Sequence, residues 1–309
     1  MTNIRGQALL NAVGNTPLIP LNMFSEELGS NRLYAKLESV NPGGSLKDRP
    51  VKRMITQAIE EGHLKGGRRI LDSSSGNAGI AYAQFGAALG VPITLIVPEN
   101  ASKERRDRIS AHGAELILTD ALKGYDFTLI EAKRLAKEQP DRYWYSNQYA
   151  NENNWKAHYE TTGTEILHQL KEHGIDHPDI FVSGVGTGGT ITGVGRRLKE
   201  VNPNTHITSV IPDIFPGIEG LKPLGTEGDI VPDILDESLI DERITVTIEE
   251  CLAICHKLAK FGVFVGPSSG AYVGTALKIA QGRNNQVIVT TLNDTGERYS
   301  STGMWATKS

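Results

Sequence analysis

Segments rich in glycine and hydroxyl residues give this chain the residue types that bind anionic groups. One of them, residues 183–190, has four glycines within six positions and directly follows the apolar run IFV. Glycines leave backbone N–H groups unobstructed, and the N-terminus of a following helix adds positive partial charge. The segment therefore predicts a phosphate site. Gly184, Gly186 and Gly189 also match the dinucleotide pattern G-x-G-x-x-G, which leaves a nicotinamide oxidoreductase open as an alternative.

A second segment of this kind, residues 73–79, reads SSSGNAG and follows the strand-like run RIL. Hydroxyls, an amide and N–H groups at the start of a helix suit a carboxylate or a phosphate. One polar residue is enough to cap a helix, so five consecutive polar or glycine positions favour binding over capping. A third segment, GPSSGA at residues 266–271, also precedes a helix, and there the local pattern favours capping by Ser268 or Ser269.

A lysine completes the set of chemically competent residues. Residues 41–50 read NPGGSLKDRP and place Lys47 at the start of a predicted helix. Most lysines in such positions are solvated surface charges. Near the positive end of a helix dipole, however, the ammonium is destabilised, which favours a free amine nucleophile. Taken alone, Lys47 indicates little. No Ser-His-Asp arrangement and no metal-ligand spacing is evident, and no metal is expected.

Strand-like and helical runs alternate along the chain and must position these segments. Short apolar and β-branched runs predict strands at residues 69–71, 92–97, 115–118, 180–182, 206–211, 263–265 and 286–292. Amphipathic stretches predict helices at about 48–61, 77–89, 102–112, 124–138, 157–172, 189–200, 248–261 and 269–281. This alternation predicts an α/β protein with open, twisted, mainly parallel sheets flanked by helices. Ligands bind at the carboxyl ends of the strands in such sheets.

Composition and charge exclude several functional classes. The 309 residues include 32 Lys and Arg against 36 Asp and Glu, a net charge of −4, which disfavours binding to nucleic acid or to an anionic membrane. The two cysteines, Cys251 and Cys255, predict small buried apolar residues in a reducing cytosol. The N-terminus lacks a basic region followed by an apolar run, so no signal peptide is expected and a cytoplasmic location is predicted.

In this order and at these intervals, the segments resemble the cysteine synthase (O-acetylserine sulfhydrylase) and cystathionine beta-synthase family of fold-type II pyridoxal-phosphate enzymes. The motifs that carry the resemblance are GNTPL at 14–18, NPGGSLKDR, SSGNAG, QYANENNWKAHYETTG at 148–163, GVGTGGTITG, PSSGA and DTGERY at 294–299. The resemblance implies a tryptophan synthase beta-like fold of two domains with the active site in the cleft between them. We predict one domain at 41–150 and the other at 1–40 plus 151–309.

The resemblance also implies a role for individual residues. Lys47 would hold pyridoxal 5'-phosphate as an internal aldimine, while Asn77 would bond the 3-hydroxyl oxygen of its ring and Ser268 would face the pyridine nitrogen. The cofactor phosphate would be bound by Gly186, Thr187, Gly188, Gly189 and Thr190. The α-carboxylate of the substrate would be received by Ser74, Ser75, Gly76, Asn77, Ala78 and Gln148.

The implied reaction is a β-replacement that makes L-cysteine and acetate from O-acetylserine and sulfide by way of a bound aminoacrylate. The cofactor would serve as the electron sink, and the amine of Lys47 would remove the α-proton. A neutral serine at the pyridine nitrogen does not stabilise a protonated ring, which favours β-elimination over transamination. The resemblance further implies a homodimer.

Two departures from the family pattern leave alternatives open. The family's asparagine loop usually reads TSGNTG, so Ala78 in SSGNAG lacks a hydroxyl near the substrate carboxylate. Asp233 stands where related synthases commonly carry Lys or Gly. A carboxylate pointing into the cleft could activate water, and the enzyme would then be a cysteine lyase that forms L-serine and hydrogen sulfide. A catalytically idle homologue is a further alternative, against which the intact Lys47 argues.

The irregular region 212–232 and the residues just after it bear on the substrate. The acidic residues there outnumber the single cation, Lys222; they are Asp213, Glu219, Glu227, Asp229 and Asp233. A dianionic phosphoserine would be repelled by this charge, so O-acetylserine is the expected donor.

Overall fold

The computed structural model describes residues 6–224 and 230–306, so Glu227 and Asp229 lie outside the described residues. The chain divides into two units. The first comprises the described residues up to Val13 together with Asn41–Asn154. The second comprises Gly14–Val40 and the described residues from Trp155 onward.

Strands and helices alternate through most of the described chain. The strands are β1 (Leu18–Pro20), β2 (Arg32–Leu37), β3 (Arg69–Ser73), β4 (Ile93–Pro98), β5 (Glu115–Thr119), β6 (Tyr143–Tyr145), β7 (Ile180–Gly184), β8 (His206–Pro212), β9 (Glu242–Val246) and β10 (Val287–Leu292). The α-helices are α1 (Gln7–Asn11), α2 (Ser25–Leu28), α3 (Asp48–Glu60), α4 (Asn77–Leu89), α5 (Lys103–Ala111), α6 (Gly124–Glu138), α7 (Glu152–Ala157), α8 (Thr164–Glu172), α9 (Gly189–Val201), α10 (Ile248–Lys260) and α11 (Pro267–Gln281). A π-helical turn, His158–Gly163, joins α7 to α8. Short 3-10 turns lie at Asn22–Phe24, Glu38–Val40, Lys65–Gly67, Ala121–Lys123, Glu237–Leu239 and Gly296–Thr302.

The first unit is built on a four-stranded parallel sheet with the order β5-β4-β3-β6. Every residue of β4 is buried, as expected for a strand covered on both faces of a parallel sheet. Helices α4, α5 and α6 pack against the strands. Because β3 and β6 are parallel neighbours, with Leu71 opposite Tyr145, the residues that follow them emerge at one edge of the sheet.

The second unit is built on a six-stranded sheet with the order β1-β2-β10-β7-β8-β9. Only β1 runs antiparallel to its neighbour, β2. Helices α9 and α11 pack against β7, and β10 is buried over its whole length. The carboxyl ends of β7 and β10 lie side by side, which places the glycine segment and the residues after β10 at the same edge of this sheet.

The predicted α/β class, with mainly parallel sheets flanked by helices, is confirmed. The strand predicted at 263–265 is wrong, because those residues form only an isolated bridge between Val265 and Thr295 before the chain enters α11. The helix predicted over 157–172 is interrupted by the π-helical turn, since apolar spacing does not distinguish one extra residue in a turn. Cys251 and Cys255 are buried, unlinked thiols. Each helix within residues 6–224 and 230–306 is too short or too polar to span a bilayer.

Candidate active site

The glycine segment of the second unit runs from β7 into the N-terminus of α9. Gly188 occupies the N-cap position with φ +82°, and no side chain caps the helix there. A Cβ added at Gly188 would lie 2.9 Å from the Cβ of Leu235. A Cβ added at Gly186 would lie 2.8 Å from the carbonyl oxygen of Gly220. Both positions therefore require glycine, and the turn keeps its backbone open.

The groups that this turn offers to a ligand are neutral donors. The hydroxyl residues Thr187 and Thr190 are buried, and the first turn of α9 contains no acidic residue. The first backbone N–H groups of a helix have no partner within the helix, and the helix dipole favours an anion beside them. This donor set fits a phosphate group, as the sequence predicts for residues 183–190.

A buried histidine lies directly behind Thr190. Nε2 of His158 is 3.4 Å from Oγ1 of Thr190, and its Nδ1 is 3.0 Å from Oγ1 of Thr162. The π-helical turn carries His158 onto α9, where a Cβ at Gly193 would lie 2.8 Å from the Cβ of the histidine. Single π-turns occur often at functional sites. His158 therefore contacts a hydroxyl of the glycine segment that the sequence predicts to bind phosphate.

In the first unit, Lys47 occupies the N-cap position of α3. Its backbone N–H donates to Oγ of Ser45 at 3.2 Å, and the buried carboxylate of Asp48 accepts the N–H of Gly43. Gly44 has φ +80°, which suits glycine in this tight turn. The loop thus holds Lys47 at the start of the helix, as the sequence predicts.

The asparagine loop connects β3 to α4 in the same unit. Oγ of Ser74 accepts the N–H of Gly79 at 3.0 Å, so this hydroxyl stabilises the loop itself. Asn77 is the first residue of α4, and Ala78 behind it is buried. Ser75 and Gly76 are partly exposed between them. The loop therefore places a partly exposed amide and the N-terminus of a helix at the edge of the sheet.

Gln148 lies beside the asparagine loop, as the neighbouring positions of β3 and β6 require. Its side-chain Nε2 donates to the carbonyl oxygen of Ser73 at 3.0 Å. The backbone carbonyl oxygen of Gln148 accepts a hydrogen bond from Nδ2 of Asn154 at 2.7 Å. The structure thus brings together the residues that the sequence assigns to the substrate carboxylate.

A fully buried carboxylate, Asp72, lies beneath these loops. It accepts the N–H of Ser73 at 2.8 Å, the hydroxyl of Tyr82 at 2.8 Å and the N–H of Gln148 at 3.3 Å. Burial raises the pKa of Asp72 to about 6, and these hydrogen bonds oppose the rise. Tyr82 also contacts Oγ of Ser146 at 2.7 Å. Asp72 therefore ties the segment after β3 to the segment after β6.

Ser268 lies in the first turn of α11 and is buried. The capping predicted for Ser268 or Ser269 is wrong, because Gly266 is the N-cap and receives no side-chain hydrogen bond. Instead, Oγ of Ser268 accepts Nδ2 of Asn293 at 3.0 Å. Asn293 was not among the predicted site residues. Its one signal in the sequence is a polar side chain directly after a buried strand.

Asp233 is exposed on a turn closed by a 3.1 Å hydrogen bond from the N–H of Leu235 to the carbonyl oxygen of Pro232. Leu235 is the residue that packs against Gly188. Three residues after Asp233, Asp236 forms a 2.8 Å ion pair with Arg196 of α9. The turn that carries Asp233 is thus anchored to α9, the helix that begins at the glycine segment.

Known proteins share this architecture over nearly the whole chain. The family model described as "Pyridoxal-phosphate dependent enzyme" matches residues 9–294. A cysteine synthase of Aquifex aeolicus is 44% identical over 310 aligned residues, which cover 98% of this chain and 93% of the relative. A solved cysteine synthase (OASS) of Entamoeba histolytica has a TM-score of 0.89 at 34% identity, covering 97% of this chain and 91% of that one. A hydrogen sulfide-producing enzyme of Fusobacterium nucleatum has a TM-score of 0.85 at 33% identity, covering 94% of this chain and 98% of that one.

Proposed function

Because the chain belongs to the pyridoxal-phosphate dependent enzyme family, we propose that it is a cysteine synthase that acts by β-replacement on an activated serine. The substrates are O-acetylserine and sulfide, and the products are L-cysteine and acetate. The observation that carries the reaction type is the neutral Ser268 at the start of α11, the position that faces the pyridine nitrogen in this reading. Similarity to cysteine synthases supports the substrate class. Family membership sets aside the dinucleotide interpretation of residues 183–190.

The residues of both units have separate tasks in this proposal. When bound, pyridoxal phosphate supplies an electron sink for the α-carbon of the substrate. The amine of Lys47 holds the cofactor covalently and, once released, moves the α-proton. Asn77 bonds the 3-hydroxyl oxygen of the cofactor ring. The phosphate is bound by Gly186, Thr187, Gly188, Gly189 and Thr190, whose neutral donors and helix N-terminus fit it.

The substrate carboxylate binds at the asparagine loop. Backbone N–H groups at the start of α4 take up its charge, so the missing hydroxyl at Ala78 does not abolish the site. The side chain of Gln148 adds an amide beside the loop, within a network that Asp72 holds in place. The excess of Asp213, Glu219 and Asp233 over Lys222 in the loop after β8 favours the acetyl ester over a dianionic phosphate ester.

Two measurements test the proposal. Purified protein supplied with pyridoxal phosphate should form cysteine from O-acetylserine and sulfide, and Lys47→Ala should abolish this turnover. Borohydride reduction followed by peptide mapping should find a pyridoxyl group on Lys47. Lys65→Ala, which removes an exposed lysine of the same unit, is the matched control and should keep both activity and adduct. Absence of an adduct at position 47 in cofactor-loaded protein would refute the proposal.

A second candidate function is a cysteine lyase that releases hydrogen sulfide and forms L-serine. It is favoured by the exposed carboxylate of Asp233 on the turn anchored to α9, and by the similarity to a hydrogen sulfide-producing enzyme. Asp233 would act as the base that activates water. Cysteine supplied alone should then yield sulfide and serine, and Asp233→Asn should stop both. Asp213→Asn changes another acid of the same region and should not. If wild type produces no sulfide from cysteine, the lyase is excluded.

We further propose that the enzyme is a homodimer in the cytoplasm. The family resemblance supports the dimer, and two buried, unlinked thiols are in keeping with a reducing compartment. Light scattering coupled to size exclusion should give twice the mass of one chain.

A further inference from the structure

The hydroxyl of Ser268 is bound by an amide that is itself held in a fixed orientation. Nδ2 of Asn293 lies 3.0 Å from Oγ of Ser268, and Oδ1 of Asn293 accepts the hydroxyl of Thr291 at 2.7 Å. The backbone N–H of Asn293 donates to Oγ of Ser269 at 2.9 Å. Asn293 is 7% exposed and Ser268 is 6% exposed, so water does not compete freely for these groups. The cluster joins the end of β10 to the first turn of α11.

The hydroxyl of Thr291 fixes the orientation of this amide, because it donates to Oδ1 and leaves Nδ2 for Ser268. The buried phenol of Tyr272, whose pKa is raised by burial, lies beside the same amide. The flipped amide would lose the hydrogen bond from Thr291 and present its oxygen to Ser268.

This arrangement decides what Ser268 offers to a ligand. A serine hydroxyl has one hydrogen to donate and lone pairs to accept with. Asn293 donates a hydrogen bond to Oγ of Ser268 and offers that hydroxyl no acceptor, because its Oδ1 already accepts Thr291. The adjacent carboxylate, Asp294, accepts the hydroxyl of Tyr299 at 2.7 Å. In the part of the chain that the structure describes, Oγ of Ser268 has Asn293 as its hydrogen-bond partner, so its hydrogen is available to a ligand.

We propose that Asn293 is a positioning residue that makes Ser268 a hydrogen-bond donor and thereby selects the unprotonated pyridine nitrogen of the cofactor. An unprotonated nitrogen accepts a hydrogen bond, whereas a protonated one must donate. This inference depends on the proposed function, in which Ser268 faces that nitrogen. The inference adds to the proposed function a cause for the protonation state of the ring. Ser268 alone does not decide that state, because a hydroxyl can donate to an unprotonated nitrogen or accept from a protonated one.

The isosteric exchange Asn293→Asp reverses the polarity of the contact. Aspartate offers only acceptors, so the hydroxyl of Ser268 turns to donate to it and leaves a lone pair toward the cofactor. We expect the ¹⁵N resonance of [¹⁵N]pyridoxal phosphate to lie at the unprotonated position in wild type and to move toward the protonated position in Asn293→Asp. Free cofactor titrated across the transition supplies both reference positions. Asn204→Asp makes the same exchange at an exposed site of the same unit and should leave the resonance unchanged.

A double mutant distinguishes an effect relayed through the hydroxyl of Ser268 from a direct effect of the added charge. If Ser268 transmits the effect, Asn293→Asp should shift the resonance in the wild-type background and not in Ser268→Ala. An equal shift in both backgrounds would mean that the new carboxylate acts through space, and would overturn the relay. Asn293→Ala should weaken binding of pyridoxal phosphate by roughly 3- to 10-fold, the size of one net hydrogen bond.

Further controls keep the inference distinct from the proposed function. Thr291→Val removes the donor that orients the amide at nearly constant volume, and should produce a partial shift even if Asn293→Asp does not fold. Wild type that binds no pyridoxal phosphate would refute the proposed function. Wild type that binds it, with the resonance unmoved in folded Asn293→Asp and Thr291→Val, would refute only the role of Asn293.

Discussion

Replacing Asp72 by asparagine should change how the stability of the first unit depends on pH. Asp72 is fully buried, and burial raises its pKa to about 6 from a usual value of 3.8. The folded state therefore binds this proton more tightly than the unfolded state. Its contribution to stability is fully present below pH 3.8 and is lost as pH rises through 6. A difference of about two pKa units at 1.36 kcal/mol per unit corresponds to about 3 kcal/mol.

The expected result is a difference between the two proteins that grows with pH. Asparagine does not titrate, so the free energy of unfolding of Asp72→Asn minus that of wild type should rise by about 3 kcal/mol between pH 3.5 and pH 7. Hydrogen bonds lost from Ser73, Tyr82 or Gln148 in the variant add a constant offset that does not affect this slope. Carboxylates elsewhere, such as Asp236, whose pKa is lowered by hydrogen bonds to Ser238 and Arg196 against burial, titrate alike in both proteins and cancel.

Urea unfolding of the cofactor-free protein, followed by fluorescence, provides the measurement. Of the three tryptophans, Trp144 lies on β6 of the first unit, so replacing Trp155 and Trp305 by phenylalanine in both proteins reports that unit alone. Asp107→Asn makes the same chemical exchange at an exposed carboxylate of the same unit. A difference in stability that stays constant from pH 3.5 to pH 7 would refute the claim that burial holds Asp72 partly protonated.

Two further substitutions test the phosphate turn and the core of the second unit. Gly188→Ala should weaken pyridoxal-phosphate binding by about tenfold or more, because φ is +82° and the new Cβ would lie 2.9 Å from that of Leu235. Fluorescence titration measures this binding. The control is Gly195→Ala on the same helix, whose Cβ would meet nothing closer than 3.6 Å and which should leave binding unchanged. Lys36→Met removes a fully buried ammonium that pairs with Glu165 at 2.7 Å, and the loss of this ion pair should lower the free energy of unfolding by about 3 kcal/mol. An unchanged urea midpoint would contradict this.

Strands that are buried along their whole length are among those that the sequence predicts correctly. In β4 and β10 the polar residues are threonines, whose β-branched side chains are themselves typical of strands, so the pattern is not obscured. β2 escapes prediction because the buried Lys36 interrupts its apolar residues. β9 alternates between partly and fully exposed positions at a sheet edge, and β6 is only three residues long. Local pattern thus fails where pairing with a neighbour supplies the stability.

The candidate site also contains features that the sequence predicts and features that it does not. The glycine segment and the asparagine loop can be predicted because each follows a buried strand and opens a helix, and both features are local. The contact between Asn293 and Ser268 cannot be predicted, because it depends on how the first turn of α11 packs beside the end of β10. The same holds for His158, whose ring reaches Thr190 only through a π-helical turn that apolar spacing does not reveal.

In each unit, the residues that follow two adjacent parallel strands lie at the carboxyl edge of the sheet. In the first, β3 and β6 end over a buried carboxylate, Asp72, which accepts backbone N–H groups and so orders the loops after these strands. In the second, the residue directly after β10 is the neutral Asn293, which donates to Ser268 where a carboxylate could only accept. A charged acceptor in that position would favour a protonated ring, whereas the neutral amide does not. If Ser268 faces the pyridine nitrogen as proposed, the asparagine after β10 contributes to β-replacement chemistry and not only to packing.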